Sequence, residues 1–419
     1  MATRSVRTLI DVKHPWLVFL MSLTHGFNEF FSIIVPPLFP FLVPALDISY
    51  TAASLLVVVF FLTYSLVQLP IGPLADIYST RHLLAGGMVV LSIGIALVAL
   101  APSFPFMIGG MVIAGIGGST YHPTGMAIIS NSESSDTHGR SMGIHGLLGA
   151  AGTVVAPLLM VSIAVAFDWR VALLSGSVVG ILFAGVLFIS YPRVYSEETR
   201  NTTRTDSFVD AIRTVIEGGE TVSARNRLSR AADYLRSPLS LKLGALFVVV
   251  GAEVRAIQTF IPPFAVAATG ADRAFGGTML AITMVTAGIA SMVAGYGVDR
   301  IDRIWFTLAC FLGTAVVVVI LVTFPLSTLL APVAFAVCGI VLYSVYPAAN
   351  AIAANASTEN TSGSLFAITN TASAIGGALG PFLLGVIADV ATLNTAFLST
   401  AGIALAGIPI VIWTRGIGK

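Results

Sequence analysis

The sequence predicts an all-α membrane protein: twelve transmembrane helices arranged as two six-helix pseudo-symmetric bundles. Three observations carry that prediction. The chain is 56% apolar and only 10% charged, against about 25% charged residues in soluble domains. Its apolar residues fall in continuous runs of about 20, the length that crosses a bilayer as a helix, and not in the short alternating segments of a barrel. The two halves of the chain also repeat one another.

The runs lie near 16–43, 51–75, 83–101, 105–130, 141–166, 169–191, 240–267, 275–298, 304–323, 328–354, 364–388 and 394–414, here spans 1 to 12. The polar stretch between spans 6 and 7 divides the chain into an N-terminal bundle (1–192), a cytoplasmic linker (193–239) and a C-terminal bundle (240–419). Within the linker, Phe208, Ile212, Val215 and Ile216 recur at helical spacing, which predicts an amphipathic helix lying on the membrane surface. The polar N-terminus has no apolar core followed by a small-residue cleavage site, so span 1 itself is expected to target the membrane. Cys310 and Cys338 lie in apolar runs and read as buried packing thiols. The net charge of +1 gives no reason to expect a nucleic-acid partner.

Loop charge orients the chain. Of its 21 Lys and Arg, all but Arg170, Arg273 and Arg255 fall on the side of the N-terminus. The positive-inside bias puts both termini and the linker in the cytoplasm, as expected of a multi-pass protein of the cell membrane.

At an offset of 224 residues, Gly115, Pro123, Asn131, Gly139, Gly152 and Pro157 fall on Gly339, Pro347, Asn355, Gly363, Gly376 and Pro381. Gly72 and Asp76 match Gly295 and Asp299, and Pro36-Pro37 matches Pro262-Pro263. Parallel six-helix repeats imply a pseudo-two-fold axis along the membrane normal, with a site between the halves near mid-membrane.

Polar residues inside the spans are the candidate site. His25, Asn28, Glu29 and Ser32 share one face of span 1. A charged residue at mid-bilayer costs roughly 2.5–3.5 kcal/mol, so this face must line a cavity or meet other helices. It reads as a proton-coupling site at Glu29 and His25 with Asn28 and Ser32 at the substrate; a hydrogen-bond cluster between helices is the plainer alternative. The repeat partner of Glu29 is Arg255, which shares a face of span 7 with Gln258 and Thr259. A guanidinium keeps its proton and so needs an anion, either Glu29 or a substrate. Glu253 points elsewhere on that helix, as an inter-helix hydrogen bond or a protonated acid. Tyr121, His122 before the bend expected at Pro123, and His145 about a turn into span 5 are further substrate or proton-relay candidates. Each histidine can equally be a satisfied buried side chain.

No nucleotide-binding loop is present: none of Lys13, Lys242 and Lys419 follows a phosphate-loop glycine. "GRSMG" (139–143) fits a nucleophile pattern but opens a membrane helix and joins no strand to a helix. Asn201-Thr202-Thr203 is a glycosylation sequon in the expected cytoplasmic loop. With no metal cluster and no nucleophile beside its base at recognisable spacing, neither enzyme activity nor a metal or cofactor is expected.

"GPLADIYSTRH" (72–82), echoed by "GYGVDRIDR" (295–303), resembles the loop 2–3 signature of the major facilitator superfamily, with Ile77 and Ser79 departing from the usual pattern. The resemblance implies the twelve-helix fold of that superfamily and a monomeric secondary transporter. It also implies a conformational gate at Gly72, Asp76, Arg81, Asp299 and Arg300, in which Asp76 latches onto the start of span 11 near Ser362–Ser364. "HGFNEFFSIIVPPLFPFL" (25–42), "GIGGSTYHPTGMAII" (115–129) and "GRSMGIHGLLGAAGTVVAPLL" (139–159) are together similar to the fosmidomycin-resistance group of efflux carriers. Glu29 stands where that group has Asp, and the stretch from His145 departs from it. This implies proton-coupled efflux of a drug or organic anion by antiport. Proton-coupled uptake of a small organic anion is the alternative, and a non-transporting sensor on the same fold is a third reading.

Overall fold

The structure, a computed structural model, describes residues 12–195, 205, 207–217, 237–298, 300–356 and 362–415. Among them, twelve helical stretches are long and apolar enough to cross a membrane. The first is α1 (Pro15–Ser32), a 3-10 turn (Pro36–Leu38) and α2 (Phe39–Leu46); α3 (Tyr50–Ile77) and α4 (Thr80–Leu100) follow. The fourth stretch is α5 (Phe104–Gly118) and α6 (Tyr121–Ser132). Then come α7 (Ser135–Ala166), α8 (Trp169–Val194) and the short linker helix α9 (Phe208–Glu217). The second half holds α10 (Pro238–Thr269), α11 (Arg273–Val298), α12 (Arg303–Thr323), α13 (Ala331–Ala356), α14 (Ser362–Val390) and α15 (Leu393–Trp413). The fold is all-α, as predicted, and the described residues contain no strand beyond a single bridge between Tyr78 and Thr205.

Proline sets the breaks that matter here. Pro36 and Pro37 supply no amide donor, so α1 ends at Ser32 and the chain turns before α2. Pro123 likewise has no N–H to reach back with, and span 4 opens at Ser119–Thr120. The carbonyls freed there are taken up locally: the Ser119 hydroxyl donates to Ile116 O at 2.7 Å and that of Thr120 to Gly117 O at 2.9 Å. The repeat copy differs, since α10 runs unbroken through Pro262 and Pro263. Helix α7 begins at Ser135, earlier than the apolar run suggests, because its first turns carry Asp136, His138 and Arg140. His145 therefore stands roughly three turns into its helix, not one.

Packing groups the described residues into two compact units. The first takes those of Met1–Ile34, Thr63–Ile163 and Phe167–Ser223; the second takes those of Val35–Leu62, Ala164–Ala166 and Ala224–Lys419. Residues 35–62 join the second unit through specific contacts. The rings of Phe39 and Tyr50 pack on Phe260, and the Asp389 carboxylate accepts from the Tyr50 and Thr51 amides, at 2.8 Å each, where α3 begins. Division at 1–192, 193–239 and 240–419 remains a proposal resting on the repeat.

In the first unit, α1 and α7 cross with backbones nearly touching. A Cβ on Gly152 would collide with the Gly26 carbonyl, and one on Gly26 would lie 2.8 Å from Leu148 O. In the second unit, Gly376 meets the Val248 carbonyl of α10 as closely, so a matched pair of the sequence repeat does the same steric work in both copies. Small residues let membrane helices approach in this way. Gly152→Val should force α1 away from α7 and cost about 1–3 kcal/mol. A thermal midpoint in detergent equal to that of wild type would contradict this packing.

Glu133 holds the start of α1. Its carboxylate accepts from the Lys13 and His14 amides at 2.9 and 2.8 Å and from the Thr137 hydroxyl at 2.6 Å. Partial burial pushes its pKa up, but these hydrogen bonds outweigh burial and hold it below the usual carboxylate range. A depressed folded-state pKa stabilises the fold above the unfolded value of about 4.5 and ceases to as pH falls through the folded value. Glu133→Ala should cost about 1 kcal/mol at neutral pH, the usual worth of a cap. Thermal unfolding should show the gap between variant and wild type closing as pH drops below 4.5; a gap independent of pH would refute the role.

The described part of the linker docks on the turn between α3 and α4. The Thr205 amide donates to Ile77 O at 2.9 Å and its carbonyl accepts from the Ser79 amide at 3.2 Å. Ala211 of α9 is buried against Ile71, Leu74, Ala75 and Leu83, while Phe208, Val209 and Ile212 are exposed. The remaining linker positions lie outside the described residues.

Candidate functional site

The first unit gathers the polar residues of spans 1, 4 and 5 into one cluster around Glu29. The break at Ser119–Thr120 starts a new helix at Tyr121 and so presents Tyr121 and His122 to α1. His25, one turn before Glu29, places its Nε2 3.5 Å from Glu29 Oε1, and His122 Nε2 approaches the same oxygen at 3.5 Å. Ser32 donates to the Glu29 carbonyl at 2.8 Å and to Oε2 at 3.2 Å. The Glu29 side chain is 18% exposed and that of His122 27%, so the group is sheltered yet reachable. Among the described residues, no Lys or Arg pairs with Glu29.

Hydrogen bonds from neighbouring residues hold these groups in place. His25 Nδ1 lies 3.0 Å from the His145 carbonyl oxygen; a carbonyl only accepts, so the proton sits on Nδ1. The His25 ring stacks on that of His145 with centroids 4.0 Å apart. The Tyr121 hydroxyl donates to Met21 O at 2.5 Å, which leaves it to accept from His145 Nε2 at 3.0 Å. Asn28 donates to Gly118 O at 3.0 Å, immediately before the helix break, and accepts from Tyr64 at 3.0 Å. His145, Tyr121 and Asn28 are thus buried and hydrogen-bonded. Gly149 makes room for the His25 ring, which any Cβ there would strike.

Tyr64 had no place in the sequence reading. Its signal, a tyrosine in an apolar run, is too common to single out. The approach of His122 to His25 and Glu29 was equally hidden, since no short spacing links residues on spans 1 and 4.

In the second unit, Arg255 donates to Gln258 Oε1 at 3.1 Å and lies over the Phe61 ring, 4.3 Å from its centroid. Gln258 in turn reaches the Tyr343 hydroxyl and Met284 Sδ. No carboxylate pairs with the Arg255 guanidinium among the described residues. Gln258 and Thr259 are buried. Glu253 is fully buried, and among the described residues its carboxylate oxygens have no hydrogen-bond partner in good geometry.

Of the gate candidates, Gly72 and Asp76 lie in the last turns of α3, with Asp76 exposed. Arg81 packs against α8, its Nε donating to Phe188 O at 2.8 Å and its guanidinium 3.6 Å from the centroid of the Phe188 ring. Arg300 is exposed after α11. Asp299 lies outside the described residues, as do the side chains of Ser362, Gly363 and Ser364.

Comparison with known proteins agrees with this architecture. The chain matches the sequence profile of the Major Facilitator Superfamily over residues 18–264 and 243–417. It is 30% identical over 139 residues to a probable L-galactonate transporter of Escherichia coli, covering 33% of this chain and 31% of the relative. It is 27% identical over 139 residues to the fosmidomycin resistance protein of the same organism, covering 33% and 34%. These matches span about a third of each relative's length. A crystal structure of a bacterial homologue of the human lysosomal transporter Spinster superposes with a TM-score of 0.79 at 14% identity, covering 96% of this chain and 97% of that one. A crystal structure of a POT family transporter in complex with 5-aminolevulinic acid gives a TM-score of 0.73 at 13% identity, covering 94% of each chain.

Proposed function

The chain belongs to the major facilitator superfamily, a family of transporters and not of enzymes, and on that premise we propose that it is a proton-coupled secondary transporter expelling a drug or small organic anion by antiport. One observation carries the coupling: a carboxylate on a membrane-spanning helix, sheltered beside two imidazoles and, among the described residues, without a lysine or arginine partner. Glu29 and His25 carry the proton. His122, Asn28, Ser32, Tyr121 and His145 shape the site around them, and Arg255, with Gln258 and Thr259, reads the anionic part of the substrate. The relatives' names support this range: one is a probable carrier of galactonate, a carboxylate, and another is a fosmidomycin resistance protein. Proton-coupled uptake of a small organic anion is the second reading, favoured by the Arg255 guanidinium, which has no acidic partner among the described residues. The protein acts as a monomer in the cell membrane, with both termini cytoplasmic.

The test starts from purified protein. A thermal-shift screen of small organic anions and drugs identifies a ligand, and liposomes carrying the protein are then given a pH gradient. Accumulation of that ligand driven by the gradient is expected; equilibration alone would refute proton coupling.

Gly72, Asp76, Arg81, Asp299 and Arg300 form the cytoplasmic gate in this proposal. Asp76 sets the balance between conformations through a helix start, and such contacts contribute about 0.3–1 kcal/mol for an exposed charge, up to roughly fivefold in a two-state balance. Asp76→Asn should raise labelling, from the cytoplasmic side, of cysteines placed beside Glu29. Equal labelling of variant and wild type would remove Asp76 from the gate.

A further inference from the structure

We propose that His25, Glu29 and His122 form a binding site for one divalent transition-metal cation of the zinc, cobalt or nickel class. The three residues each offer a ligand atom within 4.8 Å of the others. Both imidazole Nε2 atoms stand 3.5 Å from the same Glu29 oxygen. That spacing is long for a charge-assisted hydrogen bond, which closes to about 2.7–2.9 Å. It is close to the edge of a metal tetrahedron: ligands at roughly 2.0–2.1 Å from a zinc-like ion stand about 3.3–3.4 Å apart.

The hydrogen bonds point the same way. His25 Nδ1 carries the proton that the His145 carbonyl accepts, so the lone pair of neutral His25 sits on Nε2 and faces the Glu29 oxygen. Two acceptors then face each other unless a proton lies between them, and a metal cation in the same place resolves the conflict as a proton would. A ligating histidine whose other nitrogen donates to a backbone carbonyl is the usual outer-shell arrangement of metal sites. The Ser32 hydroxyl on Oε2 orients the carboxylate in the same manner. Two imidazoles and one carboxylate suit zinc, cobalt and nickel better than magnesium or calcium, which prefer all-oxygen shells, or copper(I), which prefers sulfur. Partial exposure of His122 and Glu29 leaves room for water as a fourth ligand.

The inference deepens the proposed function, because it assigns a second cation to the same atoms, but the binding is measured at equilibrium without transport. Cobalt(II) is the probe, added to the purified full-length protein in detergent at neutral pH. One ion per chain is expected, with the intense visible absorption of a four-coordinate site. His25→Gln and His122→Gln should each weaken binding by at least about tenfold, while His14→Gln and His138→Gln leave it unchanged. A wild-type measurement avoids any variant that fails to fold: zinc should protect His25 and His122, read by peptide mass spectrometry, from modification by diethyl pyrocarbonate. Absence of cobalt binding, cobalt binding indifferent to both substitutions in folded protein, or absence of zinc protection would each overturn the proposal. None of these outcomes bears on gradient-driven transport, and failure of that transport leaves the metal result standing.

Discussion

Glu29→Gln should abolish accumulation of substrate against a gradient while leaving exchange of substrate across the membrane intact. Glutamine keeps the shape and still accepts from Ser32, but it cannot exchange a proton. For one proton per substrate, each pH unit supplies about 1.36 kcal/mol, so wild type should reach roughly tenfold accumulation per unit and the variant none. Exchange needs only the substrate-loaded carrier to reorient, and the hydrogen bonds of Asn28, Tyr64, Tyr121 and His145 remain in place. Accumulation comparable to wild type in liposomes carrying the variant would exclude Glu29 as the coupling group.

Arg255→Gln should remove high-affinity binding of anionic substrates. Its guanidinium is steadied by Gln258 and the Phe61 ring and has no acidic partner among the described residues, so its charge is available to a ligand. Hydrogen bonds to a charged group contribute about 1.5–3 kcal/mol each; losing one weakens binding by roughly tenfold to more than a hundredfold. Arg255→Lys keeps the charge but not the planar fork, and should fall between. Because Gly377 packs on the stem of Arg255, the thermal midpoint without ligand is the control for lost packing. Calorimetric affinity for the ligand equal to wild type in a folded Arg255→Gln protein would make the residue structural.

The number of spans and the all-α class were legible because apolar run length is a local property, readable without tertiary contacts. The polar face of span 1 was legible for the same reason: His25, Asn28, Glu29 and Ser32 follow helical spacing on one element. What meets that face was not. His122 approaches Glu29 only because the chain breaks at Ser119–Thr120, and Tyr64 reaches Asn28 from another span. Helix α7 began earlier than its hydrophobic run because polar first turns look like loop. The grouping of residues 35–62 with the C-terminal helices depends on Phe260 and Asp389, more than 190 residues away in the chain. Glu133 was invisible as a cap because it closes a helix 119 residues before it.

Antiport requires that bound substrate and the proton on Glu29 exclude one another, and proton release on ligand binding tests this most directly. Ligand found by the thermal-shift screen is added to purified protein in weakly buffered detergent solution, and the pH change is followed between about pH 5 and 8. Antiport at Glu29 predicts release of protons by wild type and none by Glu29→Gln. Release of the same size from Glu29→Gln, or no proton exchange by wild type across that range, would contradict the account.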